Sequence, residues 1–508
     1  MYDSIIFTDT TENFRVSIPL GAFKIASTLR KHGYSCLVVN HLWKYTEDEL
    51  KELLSTVLSD KTKFIGFSST FLNKVLKSKD KLITKFEHIG IESVFPQGKE
   101  FENKIFSICR SINPAVKFIV GGSKVTQNYS NKNINYVFIG YSESAIINFM
   151  DHLSNGAELN FSIKNIHGVT IIDDRTATGY DFVNDSMIWE DTDVVNHKVV
   201  PVEIGRGCIF KCKFCGYPMN GKKKLDYIKD MSVLRAELLN SYEKFGITHF
   251  WIVDDTFNDT IEKLTVMEDM VKTLPFKPYF WAYIRLDLLI TRPKTVEMLY
   301  NIGIRAMFFG IETLHNKAGR SVGKGYNPLK QIEAINSIRE QYPEITLHGS
   351  FIMGLPGESR EDVLNSHKML MEGKLKLNSW YFRPLAITKK FAVTFYSEFD
   401  LNYKSYGYEE IDDSEPFNIN WRNEHFTWKE VNELTNELTA KSVKADTFYI
   451  AGHDIFSIVS LNYKVEDLIN VKYKDFNWKR ISLIELPNFI EIYKKTLLQL
   501  VKDRNKCG

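Results

Sequence analysis

Three cysteines, Cys208, Cys212 and Cys215, lie in the run Gly205-Arg206-Gly207-Cys208-Ile209-Phe210-Lys211-Cys212-Lys213-Phe214-Cys215. Iron–sulfur clusters are held by Cys thiolates, usually four. A Cys-x3-Cys-x2-Cys loop supplies three, so a cubane bound there keeps one iron open to a small molecule. A structural zinc site wants four tetrahedral ligands, and no further Cys or His stands within ten residues of the triplet. Only folding could bring His197 or His249 to it. Three cysteines also cannot pair off among themselves as disulfides.

The elements that must position this loop show in the apolar pattern. Short strands are expected at Ile5–Phe7, Cys36–Val39, Phe64–Phe67, Phe118–Val120 and Val137–Ile139, with helices over Leu20–His32 and Glu47–Leu58. Short buried strands alternating with helices predict a doubly wound parallel sheet over 1–152. Ligands bind such sheets beyond the strands' carboxyl ends. There the chain carries Gly66-Phe67-Ser68-Ser69, Gly121-Gly122-Ser123 and Gly140-Tyr141-Ser142-Glu143. The stretch 153–198, with Gly168–Asp174, reads as a small hairpin and linker. A second series over 199–394 begins with Val202-Glu203-Ile204 leading into the Cys loop. It continues through His249–Val253, Tyr279–Tyr283, Ala306–Phe309, His348–Met353 and Trp380–Phe382, and predicts a partial (β/α)6 barrel with its chemistry at the carboxyl ends of the strands. Those ends carry Asp254-Asp255-Thr256-Phe257, Arg285-Leu286-Asp287, Gly310-Ile311-Glu312-Thr313 and Gly354-Leu355-Pro356-Gly357-Glu358. The remainder, 395–508, reads as a mostly helical region capping the barrel mouth. Its last stripe, Phe489, Ile492, Tyr493, Thr496, Leu497 and Leu500, reads as a packing face.

Composition bounds the function classes. The 508 residues are 44% hydrophobic and 25% charged, with a formal net charge of +2. That balance fits an ordinary globular chain and disfavours nucleic acid as the main partner. The opening Met1–Phe7 lacks a basic, apolar leader, and no run of eighteen apolar residues predicts a membrane span. The scattered Cys36, Cys109 and Cys507 fit the reducing cytoplasm.

The Cys triplet resembles the signature of radical S-adenosylmethionine (radical SAM) enzymes. The strand-end phrases, with Gly323-Lys324-Gly325, resemble the core found behind cobalamin-binding domains. The order Pro19-Leu20-Gly21, Leu29-Arg30-Lys31-His32-Gly33, Ile65-Gly66-Phe67-Ser68, Val120-Gly121-Gly122 and Ile139-Gly140 is similar to those domains themselves. The resemblance implies a Rossmann-like cobalamin-binding-type domain before a radical SAM barrel, and a [4Fe-4S] cluster on the three cysteines. The cluster's open iron would hold S-adenosylmethionine. Asp254 and Asp255 would accept the methionine ammonium, with an N-cap as the plain alternative. Arg285 would take the carboxylate, unless it bridges to Asp287. Glu312 would accept the ribose hydroxyls. Gly354 and Gly357 would admit adenine, or simply turn the chain. Gly205 and Gly207 would offer N–H groups to the sulfides. Ser68, Gly121, Gly122 and Gly140 would face cobalamin. No histidine here has Asp two positions before it, so the resemblance implies either a cobalamin without a histidine ligand or a domain that no longer binds it. The segment Leu72–Asn103 reads as an insertion.

The activity so implied is methyl transfer to an unactivated carbon of a small molecule or peptide, with flavodoxin or ferredoxin as electron donor. Two alternatives stand beside it. One is radical rearrangement, oxidation or cyclisation without methyl transfer, and the other a non-catalytic metal-binding scaffold. Methylthiolation of transfer RNA fits less well, because those relatives use three further N-terminal cysteines and only Cys36 and Cys109 stand here.

Overall fold

The computed structural model describes residues 1–9, 16–68, 99–122, 125, 132–166, 168–175, 180–217, 227–324, 327–389, 395–415 and 418–507. Most of the expected insertion, 72–98, lies outside them, as do Ser123 and Gly325. The chain divides into two compact units. One comprises Met1–Asp181, Ser186–His197 and Asn477–Gly508, the other Phe182–Asp185 and Lys198–Phe476.

In the first unit, β1 (Ser4–Phe7) and β2 (Cys36–Val39) are buried at every position, as apolar runs sandwiched by helices must be. With β3 (Phe64–Ser68), β4 (Lys117–Gly121), β5 (Tyr136–Ile139), β6 (Ser162–Ile166) and β7 (Val169–Asp173) they form one sheet in the order β2-β1-β3-β4-β5-β7-β6. All neighbours are parallel except β6 and β7. Helices Leu20–Lys31, Glu47–Val57, Lys99–Ile112 and Glu143–Asn155 fill the connections. Glu47–Val57 is started by a reciprocal cap between Thr46 and Glu49.

The hairpin expected as a linker is part of this sheet. β7 runs parallel to β5 (Tyr136↔Thr170 to Ile139↔Asp173) and buries Val169, Ile171 and Ile172. It thereby covers an edge that would otherwise present unpaired backbone groups. Buried Arg30 fixes the following segment, donating to Asp193 and, at 2.7 Å, to the Cys36 carbonyl.

The last helix, Leu486–Cys507, also belongs to this unit rather than to a barrel cap. The Asn40 N–H donates to the Tyr493 hydroxyl at 3.0 Å, and Lys494 meets Glu49 at 2.7 Å. Of the stripe read as its packing face, Tyr493 and Leu497 are buried but Ile492 is 54% exposed.

The second unit is built on β8 (Val199–Val202), β9 (His249–Ile252), β10 (Tyr279–Ile284), β11 (Ile304–Glu312), β12 (Thr346–Met353) and β13 (Ser379–Pro384). These six are parallel and adjacent in sequence order, with at least one helix between each pair. Trp380 and Phe382 face helices on one side of the sheet. The Trp380 indole N–H bonds Ser442 of helix Trp428–Ser442 at 2.9 Å, and Phe382 lies against His367 of helix Arg360–Met371. The other face receives helix Gly452–Ile458, whose His453 stands near Trp281, Phe308 and His348. The region expected to be mostly helical also holds an antiparallel pair, β14 (Glu409–Asp412) with β15 (Asn420–Arg422). Among the described residues no helix is long and apolar enough to cross a membrane.

Candidate active site

The Cys loop leaves the carboxyl end of β8, and buried charges fix its departure. One Asp254 oxygen accepts the Ile204 N–H at 2.8 Å, and the other meets Lys263 Nζ at 2.8 Å. Lys263 reaches Asp259 at 3.4 Å, and Tyr227 donates to Asp259 at 2.6 Å. Burial opposes the Lys263 charge, but Asp254 and Asp259 outweigh it and keep the ammonium protonated. The Tyr227 carbonyl then accepts the Arg206 N–H at 2.8 Å. Gly205 is tightly enclosed, since a Cβ there would stand 3.1 Å from both Asp254 and Lys263 and would press on that ion pair. Gly207 takes φ +108°, a turn that admits glycine readily.

Beyond this turn, Cys208 is buried with its sulfur 3.5 Å from the Thr256 hydroxyl, and burial raises its thiol pKa. Cys212 and Cys215 are half-buried, joined by a turn in which the Cys215 N–H donates to the Cys212 carbonyl at 3.1 Å. Arg285 reaches across from the end of β10. Its Nη1 donates to the Cys212 sulfur at 3.3 Å, Nη2 to the Gly323 carbonyl at 3.2 Å and Nε to Asp287 at 2.8 Å. Its guanidinium lies 3.6 Å from the centre of the Phe210 ring. Asn258 clamps the Arg285 backbone through two reciprocal bonds. Among the described residues no three Cys, His, Asp or Glu side chains converge on one point as a single metal ion would need. A cubane asks for a wider set, and three thiols on a loop tied to two strand ends can supply one ligand to each of three irons and leave the fourth open.

The residues expected around the loop separate into two kinds. Asp254 has both oxygens engaged and acts on the loop's backbone. Asp255, half-buried beside it, is pushed up to about 8 by burial and by the neighbouring Asp254 charge. Glu312 sits where the β11–β12 register shifts, with φ +69°. This irregular position tilts its carboxylate toward Lys324 at 3.5 Å. Burial raises the Glu312 pKa and Lys324 opposes the shift. Gly354 takes φ +83°, and the nearby atom is the Trp421 indole, 2.6 Å from where a Cβ would stand. On the Cβ side of this glycine the close approach is made by the chain's own indole. The Gly354 carbonyl accepts from Tyr408 at 2.6 Å and Asn423 at 3.1 Å.

In the sequence Glu358 stands only at the end of the Gly354–Glu358 phrase. It is buried, accepts the Thr313 hydroxyl and is pushed up to about 8 by burial. Lys263, which holds Asp254, was missed. Its signal is the spacing Asp254…Asp259…Lys263, which puts the lysine one turn after the second aspartate.

In the first unit, Ser68, Gly121 and Gly140 stand at or just beyond the carboxyl ends of three adjacent strands, and Ser68 pairs with Gly121 in register. Gly122 follows with φ +106°. Gly140 has a packing reason of its own, because a Cβ there would lie 2.9 Å from the Asp174 backbone beyond β7.

Residues 202–370, from the end of β8 into helix Arg360–Met371, match the family model of the radical SAM superfamily. They form a radical SAM domain. Over 285 residues the chain is 26% identical to an uncharacterized methyltransferase of Pyrococcus horikoshii, covering 51% of this chain and 58% of the relative. The chain spans about half the length of the curated relatives it matches. Its fold is similar to that of the radical S-adenosylmethionine methyltransferase TsrM from Kitasatospora setae (TM-score 0.63, 12% identity, 92% of this chain and 97% of that one). It is also similar to the cobalamin-dependent S-adenosylmethionine radical enzyme OxsB, solved with aqua-cobalamin and S-adenosylmethionine (TM-score 0.56, 17% identity, 80% and 56%). The matched region thus contains the Cys loop and the strand-end residues from Asp254 to Glu358.

Proposed function

We propose that this chain is a cobalamin-dependent radical SAM methyltransferase acting on an unactivated carbon, with a partial (β/α)6 barrel bearing the cluster and a Rossmann-like unit bearing the corrinoid. The observation that supports it best is the set Cys208, Cys212 and Cys215 on one loop, fastened by Asp254 below and Arg285 beside. A [4Fe-4S] cluster on those thiolates and a bound cobalamin would supply, respectively, reductive cleavage of S-adenosylmethionine to a 5′-deoxyadenosyl radical and the methyl group.

The chain's own residues do the positioning. Lys263 and Asp254 hold the loop's first turn in place. Arg285 keeps its donors on Cys212 and Asp287, with Phe210 stacked beneath. Asp255, which also bonds Tyr217, is the acceptor next to the loop for the methionine ammonium, and Glu312 the acceptor for the ribose. Ser68, Gly121 and Gly122 line the sheet edge proposed for cobalamin, small residues where a flat ring must come close. A reductant of the flavodoxin or ferredoxin kind, a small-molecule or peptide substrate and a cytoplasmic setting belong to the same proposal. The fold likenesses to TsrM and OxsB and the methyltransferase relative support this reading over radical rearrangement or a metal-binding scaffold.

Anaerobic reconstitution tests it. The parent should hold about four iron and four sulfide per chain, absorb near 400 nm and release 5′-deoxyadenosine with dithionite. Cys212→Ala should lose both the absorbance and the product. Retention of both in that variant would overturn the cluster assignment, and a cluster-loaded protein that takes up no cobalamin would overturn the methyl-transfer part.

A further inference from the structure

From Arg383 and Tyr381 we infer a substrate subsite for a planar, aromatic body bearing one carboxylate, at the carboxyl end of β13 in the second unit. The inference rests on the proposed radical SAM activity and adds a substrate class to it.

Strand alternation separates the side chains of β13 cleanly. Trp380 and Phe382 face the helices that bond to them, so Tyr381 and Arg383 share the opposite face. That face is aromatic across the sheet. Tyr381 lies 5.7 Å from Phe308, Phe308 lies 4.9 Å from Tyr283, and Tyr283 lies 5.0 Å from Trp281. At the strands' amino ends it is closed, because Gly452 of helix Gly452–Ile458 sits against Ala306 and Thr346 and His453 against His348. Toward the carboxyl ends Tyr283, Ile352 and Tyr381 are half-buried and Arg383 is exposed. Tyr283 precedes by two residues Arg285, which touches the Cys212 sulfur. The Tyr283 end of the open face is therefore next to the proposed radical source, and Arg383 stands three strands across the sheet from it.

Arg383 differs from the other cations at these strand ends. Lys263 is held by Asp254, Arg285 by Asp287 and Lys324 by Glu312. The Arg383 guanidinium lies 4.4 Å from the centre of the Tyr381 ring, and among the described residues no carboxylate or carbonyl bonds to it. Stacking on Tyr381 fixes the plane of the fork and leaves its N–H edge free, an arrangement suited to bidentate capture of a carboxylate. A single guanidinium balances a single negative charge, which favours a carboxylate over a phosphate dianion. The aromatic wall from Tyr381 to Tyr283 would then receive a flat, apolar body.

Isothermal titration of the full, cluster-loaded chain with 3-phenylpropionate, 3-phenylpropionamide and 3-cyclohexylpropionate tests this. The aromatic acid should bind more tightly than its amide and its cyclohexyl analogue. Arg383→Gln should weaken the acid at least about tenfold, the scale of one charge-assisted bond, and leave the amide unchanged. Arg383→Lys should restore part of the loss. Equal affinity for acid and amide, no effect of Arg383→Gln, or no binding of any probe to cluster-loaded protein would each overturn the subsite. Iron and sulfide are counted on the same samples. Absence of iron therefore overturns the cluster proposal, while the comparison of parent with Arg383→Gln still decides the subsite.

Discussion

Glu358 illustrates what burial does to a single carboxyl group. Accepting from Thr313 stabilises its charge, but burial dominates and moves its pKa from the ordinary carboxylate range to about 8. A folded-state pKa above the unfolded one means that the folded protein binds the extra proton. The stability it brings is complete below the ordinary carboxylate pKa and is lost as pH rises toward 8. Glu358→Gln, which is neutral throughout, should therefore fall less in melting temperature than the parent between pH 5.5 and 8.5. Each kcal/mol is worth roughly 2–4 °C in a unit of this size, and equal slopes would show that Glu358 is charged in the folded protein. At Gly354 the geometry gives a second expectation. A Cβ there meets Trp421 at 2.6 Å on a backbone at φ +83°. Gly354→Ala should thus cost about 1–3 kcal/mol, seen as a lower melting temperature of the second unit. The sequence marks Gly354 as a point of close approach, but not what approaches. Trp421 comes from a distant segment with no periodic signal, so the packing partner on the Cβ side was not legible.

Among the elements, the parallel strands were legible because burial on both faces leaves uninterrupted apolar runs such as Cys36–Val39 and Phe64–Phe67. Pairing partners were less so. Gly168–Asp174 read as a hairpin, yet nothing local in Val169–Asp173 says that it adds to β5, because register is a property of two segments. β14 is exposed along its whole length and carries no alternation to detect. Helix Gly452–Ile458 is a similar case, for its role follows from where Gly452 lands. Any side chain there would collide with Ala306 and Thr346. Gly452→Val should push the helix from the sheet and raise amide exchange at the amino ends of β11 and β12, while β1 to β5 keep their protection. Uniform loss of protection throughout the chain would contradict such a local contact.

At the scale of the whole molecule, two units with separate cores should unfold in two steps, and one buried set in each answers to pH with opposite sign. In the first unit, His41 and His197 stack parallel with ring centres 5.9 Å apart, and both stand edge-on to Phe489 and Tyr493 of the last helix. Burial holds both rings neutral, His41 well below the ordinary imidazole pKa and His197 at about 4. A depressed folded-state pKa brings stability that is complete above the ordinary imidazole pKa and is lost as pH falls toward 4. In the second unit, Glu358 has the reverse sign. Lowering the pH from 8 to 5 should thus remove what His41 and His197 bring to the first unit and restore what Glu358 brings to the second. Asp174 in the first unit, pushed up to about 6, and His249 in the second, held at about 4 by burial, act with the opposite sign within their own units. Calorimetry of the parent, His197→Phe and Glu358→Gln at both values separates the contributions. His197→Phe should flatten the pH response of one transition only, and Glu358→Gln that of the other only. If both variants altered the same transition, or if the chain melted in one step at every pH, the two cores would be a single cooperative body and the assignment of Leu486–Cys507 to the first of them would have no thermodynamic meaning.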